Sequence, residues 1–141
     1  KAGLHTRALP LMRKMQQNGF SHVPVIERQR VCGAFSNSTI FSFFLDHPDQ
    51  CINGETTVRT FRAYLSFESH SSEQFRFMDE GATYADVKLA FEQRKERNKR
   101  LAAIFVTKTG SRDEELLGMI TPWDVLGRFV PRDDQPDRPQ A

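Results

Sequence analysis

One carboxylate in the sequence stands where it could bind a ligand. Asp124 follows Thr121 and Pro122 in the stretch GMITPWDV. A hydroxyl residue, a proline and an acid in this order are typical of the first turn of a helix, where Asp124 forms half of a capping box. An ionised carboxylate held at a helix start can also accept hydrogen bonds from vicinal hydroxyl groups. This stretch alone leaves the structural and the ligand-binding interpretations open.

The other reactive side chains show no catalytic or metal-binding pattern. The four histidines share no metal-ligand spacing with one another or with either cysteine. His70 stands between Ser69 and Ser71 in a polar stretch, with no fixed acid to orient its ring as a catalytic triad requires. The adjacent acids Asp79–Glu80 and Glu114–Glu115 are interpreted as solvated turn residues. No Walker-type phosphate loop is present. The sequence therefore predicts no enzyme and no required metal or cofactor.

The composition is that of one soluble domain. The chain has 141 residues, of which 38% are hydrophobic, and can bury a single core. No stretch approaches ~18 consecutive apolar residues and no charged start leads into an apolar run, so we expect no membrane span or signal peptide and a cytoplasmic location. Cys32 and Cys51 are predicted to be free thiols. A formal net charge of +2 makes nucleic-acid binding unlikely.

An internal repeat organises the chain. Apolar residues at helical spacing over 7–18, ended by Gly19, precede two short strands, HVPVI and RVCGAF, and a helix, NSTIFSFFL. The same order recurs as a helix, TYADVKLAFEQRKE, then strands LAAIFVT and LLGMI around a charged turn, then a helix opened by Thr121. When Gly33 is aligned with Gly118, GAFSNSTIF matches GMITPWDVL without a gap.

The repeat divides the chain into four segments. They are a first repeat over 1–45, a linker over 46–74 with a helix at 58–65, a second repeat over 75–130 that begins with a strand at 75–78, and a tail over 131–141. The tail is rich in proline and charge and lacks apolar anchors, so we expect it to be disordered.

This organisation resembles a tandem pair of CBS domains, the module of cystathionine beta-synthase, IMP dehydrogenase and the gamma subunit of AMP-activated protein kinase. The resemblance covers 4–129, and GMITPWD matches the family's ligand signature of apolar residues, Ser or Thr, and a later Asp. It implies an α/β fold of the α+β type, in which two β-α-β-β-α repeats pack around a pseudo-two-fold axis and leave two clefts. Because the chain opens on Lys1, close to the first helix, we expect the first repeat to lack its upstream strand.

By this resemblance, Asp124 and Thr121 belong to an adenosyl-binding site in one cleft. The carboxylate would accept hydrogen bonds from the ribose hydroxyls, and the helix amino terminus with the Thr121 hydroxyl would face phosphate oxygens. The first repeat has Thr39 in place of Asp124, and a neutral hydroxyl cannot clamp a ribose diol with charge-assisted hydrogen bonds. We therefore expect one bound AMP, ADP, ATP or related adenosyl compound per chain.

The remaining expected contacts lie at two strand entrances. By resemblance, Phe20, Ser21 and His22 would read the edge of the adenine, and Lys99 and Arg100 would neutralise phosphate. Two alternatives stay open. His22 could instead be a strand residue with a local hydrogen bond, and the RKERNKR run could be a solvated helix end whose cations suit the helix dipole.

The helix over 37–45 is apolar around most of its circumference, which is more than one core-facing stripe requires. Its second face predicts either a cover formed by the linker or, as the family suggests, a homodimer through the helices at 37–45 and 122–130. The sequence thus predicts a regulatory module that senses an adenine nucleotide. The alternative is a dimerisation or protein-docking module whose cleft is vestigial.

Overall fold

The first half of the chain is a helix, a β-hairpin and a second helix. The computed structural model describes residues 1–93 and 99–127, and the side chains up to 125. The elements of this half are α1 (Ala8–Asn18), β1 (His22–Glu27), β2 (Arg30–Ser36) and α2 (Asn37–Asp46). Gly19 ends α1 with a φ of 69°, a left-handed conformation that glycine adopts readily, as its place after the apolar pattern predicted.

The second half has the same order of elements, and a complete strand precedes them in the chain. Its elements are β3 (Glu73–Asp79), α3 (Tyr84–Glu92), β4 (Arg100–Thr107), β5 (Gly118–Ile120) and α4 (Pro122–Gly127). Here α3 is shorter than the predicted helix, because Gln93 takes an extended conformation; residues 94–96 of that prediction lie outside the described residues. The predicted strand LLGMI is also shorter, because the N–H of Leu116 donates to the carbonyl of Gln29 in the first hairpin.

The two halves form two sheets with related topology. In one sheet, β3 runs parallel to β4 and β4 runs antiparallel to β5, so α3 supplies the crossover that a parallel pair requires. In the other sheet, β1 and β2 form an antiparallel hairpin. Ala2 adds a single parallel bridge to Val25, and its N–H lies 2.9 Å from the carbonyl oxygen of Pro24. In the first half, Ala2 alone therefore occupies the position that the strand β3 occupies in the second half.

The segment between the repeats packs on the first half. It contains two short 3-10 helices, Val58–Tyr64 and Phe67–Ser69, where the sequence predicted one helix. Val58 and Phe61 are fully buried in the core that α1 and β1 also build. The N–H of Ala34 in β2 donates to the carbonyl of Leu65 at 2.9 Å, so the linker is hydrogen-bonded to the first sheet.

A third cluster of apolar side chains joins the two sheets. Val31 of β2 is buried together with Ala103 and Phe105 of β4. The rings of Phe67, Phe75 and Phe77 surround Phe105, with centroids 5.4, 5.9 and 5.5 Å from its own. Aromatic rings at these separations bury large areas and attract one another at their edges. The two halves are therefore held together by a shared core as well as by the chain.

Cys32 and Cys51 are free thiols, as predicted. Burial raises the pKa of the Cys32 thiol, which makes it a poor nucleophile. Among the helices in the described part of the chain, none combines the length and the apolar character that crossing a bilayer requires.

Candidate functional site

Asp124 lies in the first turn of α4 and is bonded to Thr121. Its Oδ2 accepts the backbone N–H of Thr121 at 2.7 Å and the Thr121 hydroxyl at 3.1 Å. The N–H of Asp124 donates to the carbonyl of Thr121 instead of to its hydroxyl, so one half of the predicted capping box is present. Oδ1 accepts no hydrogen bond from any described residue, and the side chain is exposed. This oxygen is therefore available to a ligand.

The Asp124 side chain lines a cavity of about 420 Å³ where α3, β5 and α4 meet. The other lining residues are mostly apolar: Ala82, Thr83, Tyr84, Val87, Met119, Ile120 and Val125. A cavity of this volume, with apolar walls and few polar groups, is typical of small-molecule sites. Among the described lining residues, Asp124 alone is charged, and its carboxylate suits the hydroxyl donors of a ligand.

The strand entrance at Phe20 and Ser21 lines a different cavity. This cavity measures about 510 Å³ and lies between α1 and the start of α2, next to Met12 and Ile40. The structure therefore places the expected ribose contact, Asp124, in one cavity and two of the expected adenine contacts, Phe20 and Ser21, in another. That these residues hold one ligand stays a prediction.

Lys99 and Arg100 lie at the start of β4. The N–H of Arg100 donates to the carbonyl of Ser72 at 3.2 Å, and Arg100 pairs with Glu73 in the register of β3 and β4. Neither residue lines the Asp124 cavity. Their predicted contact with phosphate stays a prediction, and so does the alternative of a solvated helix end, because residues 94–98 lie outside the described chain.

Thr39 occupies in the first repeat the place that Asp124 has in the second. It is buried, and its hydroxyl accepts the N–H of Ser36 at 3.2 Å in a complete capping box. The same hydroxyl lies 3.4 Å from the carbonyl oxygens of Ala34 and Tyr64. The cavity beside it measures about 40 Å³, far below the roughly 300 Å³ or more of ordinary ligand pockets. The cavity that Thr39 itself lines is therefore too small for a nucleotide in the conformation described.

His22 belongs to a buried polar cluster that the sequence did not reveal. Its Nδ1 lies 2.8 Å from Oγ of Ser21, and its Nε2 lies 2.7 Å from Oε2 of Glu73. Oε1 of Glu73 lies 3.6 Å from Nδ1 of His70. The exposed fractions of the His22, Glu73 and His70 side chains are 12%, 7% and 2%. The His22 ring is thus held by neighbours, as the structural alternative proposed.

Glu73 stays ionised in this cluster. Burial by itself raises the pKa of a carboxyl group, but hydrogen bonds and charge from His22 and His70 outweigh burial and lower the pKa of Glu73 to about 2. The prediction that no fixed acid stands beside His70 was wrong. It failed because β3 begins at Glu73, two residues before the predicted strand, and so brings this carboxylate to the ring.

This cluster does not have the arrangement of a catalytic triad. Oγ of Ser38 lies 3.5 Å from Nδ1 of His70, which is the same nitrogen that faces Glu73. A triad needs the hydroxyl and the acid on opposite nitrogens of the ring. One nitrogen then accepts the proton of the hydroxyl, while the other nitrogen donates a hydrogen bond to the acid. Ser38, His70 and Glu73 therefore cannot act as nucleophile, base and orienting acid in this geometry.

Glu114 lies in the turn between β4 and β5, as predicted, and is also hydrogen-bonded there. Its Oε1 accepts the N–H of Thr109 at 2.9 Å, the Thr109 hydroxyl at 2.7 Å and the N–H of Ser111 at 3.2 Å. These bonds, led by that from the Thr109 hydroxyl, lower the pKa of Glu114. The carboxylate fixes the turn between β4 and β5.

No family model matches the sequence, and no curated protein matches it either. Solved structures do match the fold. A CBS domain-containing protein from Kribbella flavida superposes with a TM-score of 0.59 at 16% identity, over 92% of this chain and 91% of that chain. A signal-transduction protein with CBS domains from Burkholderia ambifaria gives 0.58 at 11%, over 99% and 87%. CbpB in complex with c-di-AMP gives 0.56 at 17%, over 90% and 73%.

These similarities define the class of the fold. The chain has the fold of tandem CBS-domain proteins, as the internal repeat predicted, with mixed helices and two sheets. At 11–17% identity the matches establish architecture, and the names of the matched proteins point to no enzymatic family.

Proposed function

We propose that this protein is a regulatory module that binds an adenine nucleotide or another adenosyl compound at Asp124, without catalysis. The observation that carries the proposal is the exposed Oδ1 of Asp124 beside a cavity of about 420 Å³ in a chain with the CBS fold. CbpB has the same fold and was solved in complex with c-di-AMP, which supports an adenosyl ligand. AMP, ADP, ATP and c-di-AMP are the first compounds to test.

The residues around Asp124 suggest how such a ligand is held. A ribose hydroxyl donates to Oδ1, while Oδ2 stays bonded to Thr121, so that the carboxylate keeps one fixed orientation. The side chains of Tyr84 and Met119 provide an apolar wall for the base or sugar. Binding there changes the packing of α3 against α4, which is the regulatory event in this proposal.

Phe20, Ser21, His22, Lys99 and Arg100 belong to the proposal as secondary contacts. They lie outside the Asp124 cavity, and a ligand bound only at Asp124 does not require them. Substitutions at Ser21 or Arg100 that weaken adenosyl binding as strongly as those at Asp124 would show that one ligand spans both regions.

Asp124→Asn tests the proposal. The amide keeps a capping side chain but loses the charge, so we expect unchanged folding and affinity weaker by roughly 1.5–3 kcal/mol, which is about tenfold to more than a hundredfold in Kd. Titration calorimetry with each adenine compound measures this. Asp86→Asn is the matched control, because the Asp86 carboxylate also accepts the N–H of its N-cap residue, Thr83, and does not line the cavity. If no compound binds at millimolar concentration, the proposal fails.

A second function, dimerisation, is favoured by a separate observation. The linker covers part of α2, since the ring of Phe61 lies 4.7 Å from that of Phe43. Phe41 and Leu45 of α2 each remain 65% exposed, and Trp123 of α4 is 74% exposed. Groups of large apolar side chains that are exposed together often mark interaction surfaces. We propose that α2 and α4 form a homodimer contact.

A further inference from the structure

A chain of polar groups crosses the interior and ends at a nitrogen without a partner. It runs from the Ser21 hydroxyl through His22 and Glu73 to His70. Nε2 of His70 is buried and has no hydrogen-bond partner among the described residues. A buried polar atom left in this state costs about 1–3 kcal/mol, so native proteins nearly always satisfy it.

The charge of Glu73 determines what kind of partner Nε2 needs. An ionised carboxylate can only accept hydrogen bonds, so the nitrogen of His70 that faces Glu73, Nδ1, carries a hydrogen. In the neutral ring, Nε2 is then an acceptor and requires a donor.

His70 also lines a cavity whose other lining residues all carry hydroxyl groups. The cavity measures about 40 Å³, and its other lining residues are Ser38, Thr39, Ser42, Tyr64, Ser69, Ser71 and Ser72. A water molecule has a share of about 30 Å³ in the liquid and needs 2–4 polar partners when it is buried. The volume fits one water, and the serine hydroxyls supply the remaining partners. Within residues 1–93 and 99–127, no group of three metal-ligating side chains competes for this role.

We infer that one internal water molecule binds here, donating to Nε2 of His70 and bonded to the serine hydroxyls. It joins the cluster of His22, Glu73 and His70 to the serine hydroxyls beside the first turn of α2. The inference does not depend on a ligand at Asp124, which lies in another cavity.

A high-resolution crystal structure of the full chain tests the inference. We expect a water peak about 2.6–3.2 Å from Nε2 of His70 and at a similar distance from a serine oxygen. His70→Asn keeps a nitrogen near the position of Nδ1 but lacks Nε2, so the peak should move or disappear while the contact with Glu73 remains. The control is His47→Asn, because His47 is exposed and lies outside this cavity, and that variant should keep the peak.

Solution NMR of the unmodified protein provides a test that needs no variant. Magnetisation transfer from a long-lived water to the His70 ring should be observed, and the ring should be the Nδ1–H tautomer. The absence of both the crystallographic peak and this transfer would overturn the inference. A water peak at an unchanged position in His70→Asn, or anomalous scattering that identifies an ion, would overturn it as well.

Discussion

Glu73 shows how a single buried charge can link stability to pH. The pKa of Glu73 is about 2 in the folded protein, against an ordinary value of 4.5, so the folded state binds this proton less tightly than the unfolded state. The resulting stabilisation is fully present above about pH 5. It is lost as the pH falls through 4.5 towards 2. A shift of this size corresponds to on the order of 3 kcal/mol.

We therefore expect the free energy of unfolding to fall between pH 5 and pH 2 more steeply in the unmodified protein than in Glu73→Gln. The amide removes the charge that His22 and His70 contact, so the variant should also be less stable at pH 7 by about 2–4 kcal/mol. Urea unfolding at several pH values measures both effects. Glu80→Gln, at an exposed position, should follow the unmodified protein. Parallel pH profiles for the Glu73 variant would contradict this expectation.

The candidate site was predictable from sequence only where its chemistry is local. Thr121 and Asp124 are three residues apart, so a helix-start pattern places them together. His22 and Glu73 are far apart along the chain, and only the packing of β1 beside β3 brings them within 2.7 Å. The cavity walls around Asp124 also come from separate elements, and no periodicity in the sequence specifies their distance.

At the scale of elements, the turn between β1 and β2 is strained. Arg28 and Gln29 have φ values of 52° and 67°, and Glu27 pairs with Arg30 across them. Two left-handed residues suit a tight hairpin, but such turns favour Asn and Gly because a Cβ atom disfavours this conformation.

We expect Gln29→Gly to raise the free energy of unfolding by roughly 0.5–1 kcal/mol, because glycine relieves the strain at this φ by more than its extra flexibility costs. Thermal or urea unfolding measures the change. In Gln50→Gly, at an exposed position without a positive φ, flexibility alone acts and the protein should be slightly less stable. Equal destabilisation of both variants would show that the turn stores no strain.

Gly33 and Gly118, which the repeat aligns with each other, have different surroundings. A Cβ atom added at Gly33 would lie 2.6 Å from the carbonyl carbon of Leu65, and closer still to its oxygen. An atom added at Gly118 would meet nothing within 4 Å. The repeat in the sequence made these residues equivalent, but the linker approaches only the first of them.

We expect Gly33→Ala to destabilise the protein by more than about 2 kcal/mol, because the backbone of the linker must move and the bond from Ala34 to Leu65 is strained or lost. Gly118→Ala is the control and should change stability by less than about 1 kcal/mol. Chemical unfolding of both variants under one condition gives the comparison. Similar changes in the free energy of unfolding for the two variants would mean that the linker backbone at Leu65 moves at little cost.

At the scale of the whole molecule, the exposed face of α2 predicts self-association. A charge at Phe41 should disrupt a two-fold contact without affecting the core, because the side chain is 65% exposed. Phe44 is less suitable, since it packs against the first core, and Phe129 lies outside the described residues.

Light scattering at tens of micromolar should give a dimer mass for the unmodified chain and a smaller mass for Phe41→Glu. Leu117→Glu is the control: Leu117 is 52% exposed, lies outside α2 and α4, and should leave the dimer intact. A monomer mass for the unmodified chain would contradict the proposed dimer.

The order of the helices and strands could be predicted from the sequence, whereas the packing of the two halves against each other could not. Helical spacing and short apolar runs are local signals, and their recurrence predicted both halves. The contact of Val31 with Phe105 is not a local signal, and neither is the place of Phe67 in the shared core. Ala2 carries no strand pattern of its own, because a single bridging residue has no periodicity.

The hydrogen bond between His22 and Glu73 limits where this molecule can bend. β1 and β3 cannot separate without exposing a carboxylate and an imidazole that now hold each other at 2.7 Å, and the aromatic core beside them would open as well. By contrast, α3 and α4 meet at a cavity and are joined by a long hydrogen bond, from the Tyr84 hydroxyl to the carbonyl of Val125 at 3.4 Å. In the proposed function, a ligand bound at Asp124 therefore acts first on these two outer helices of the second half.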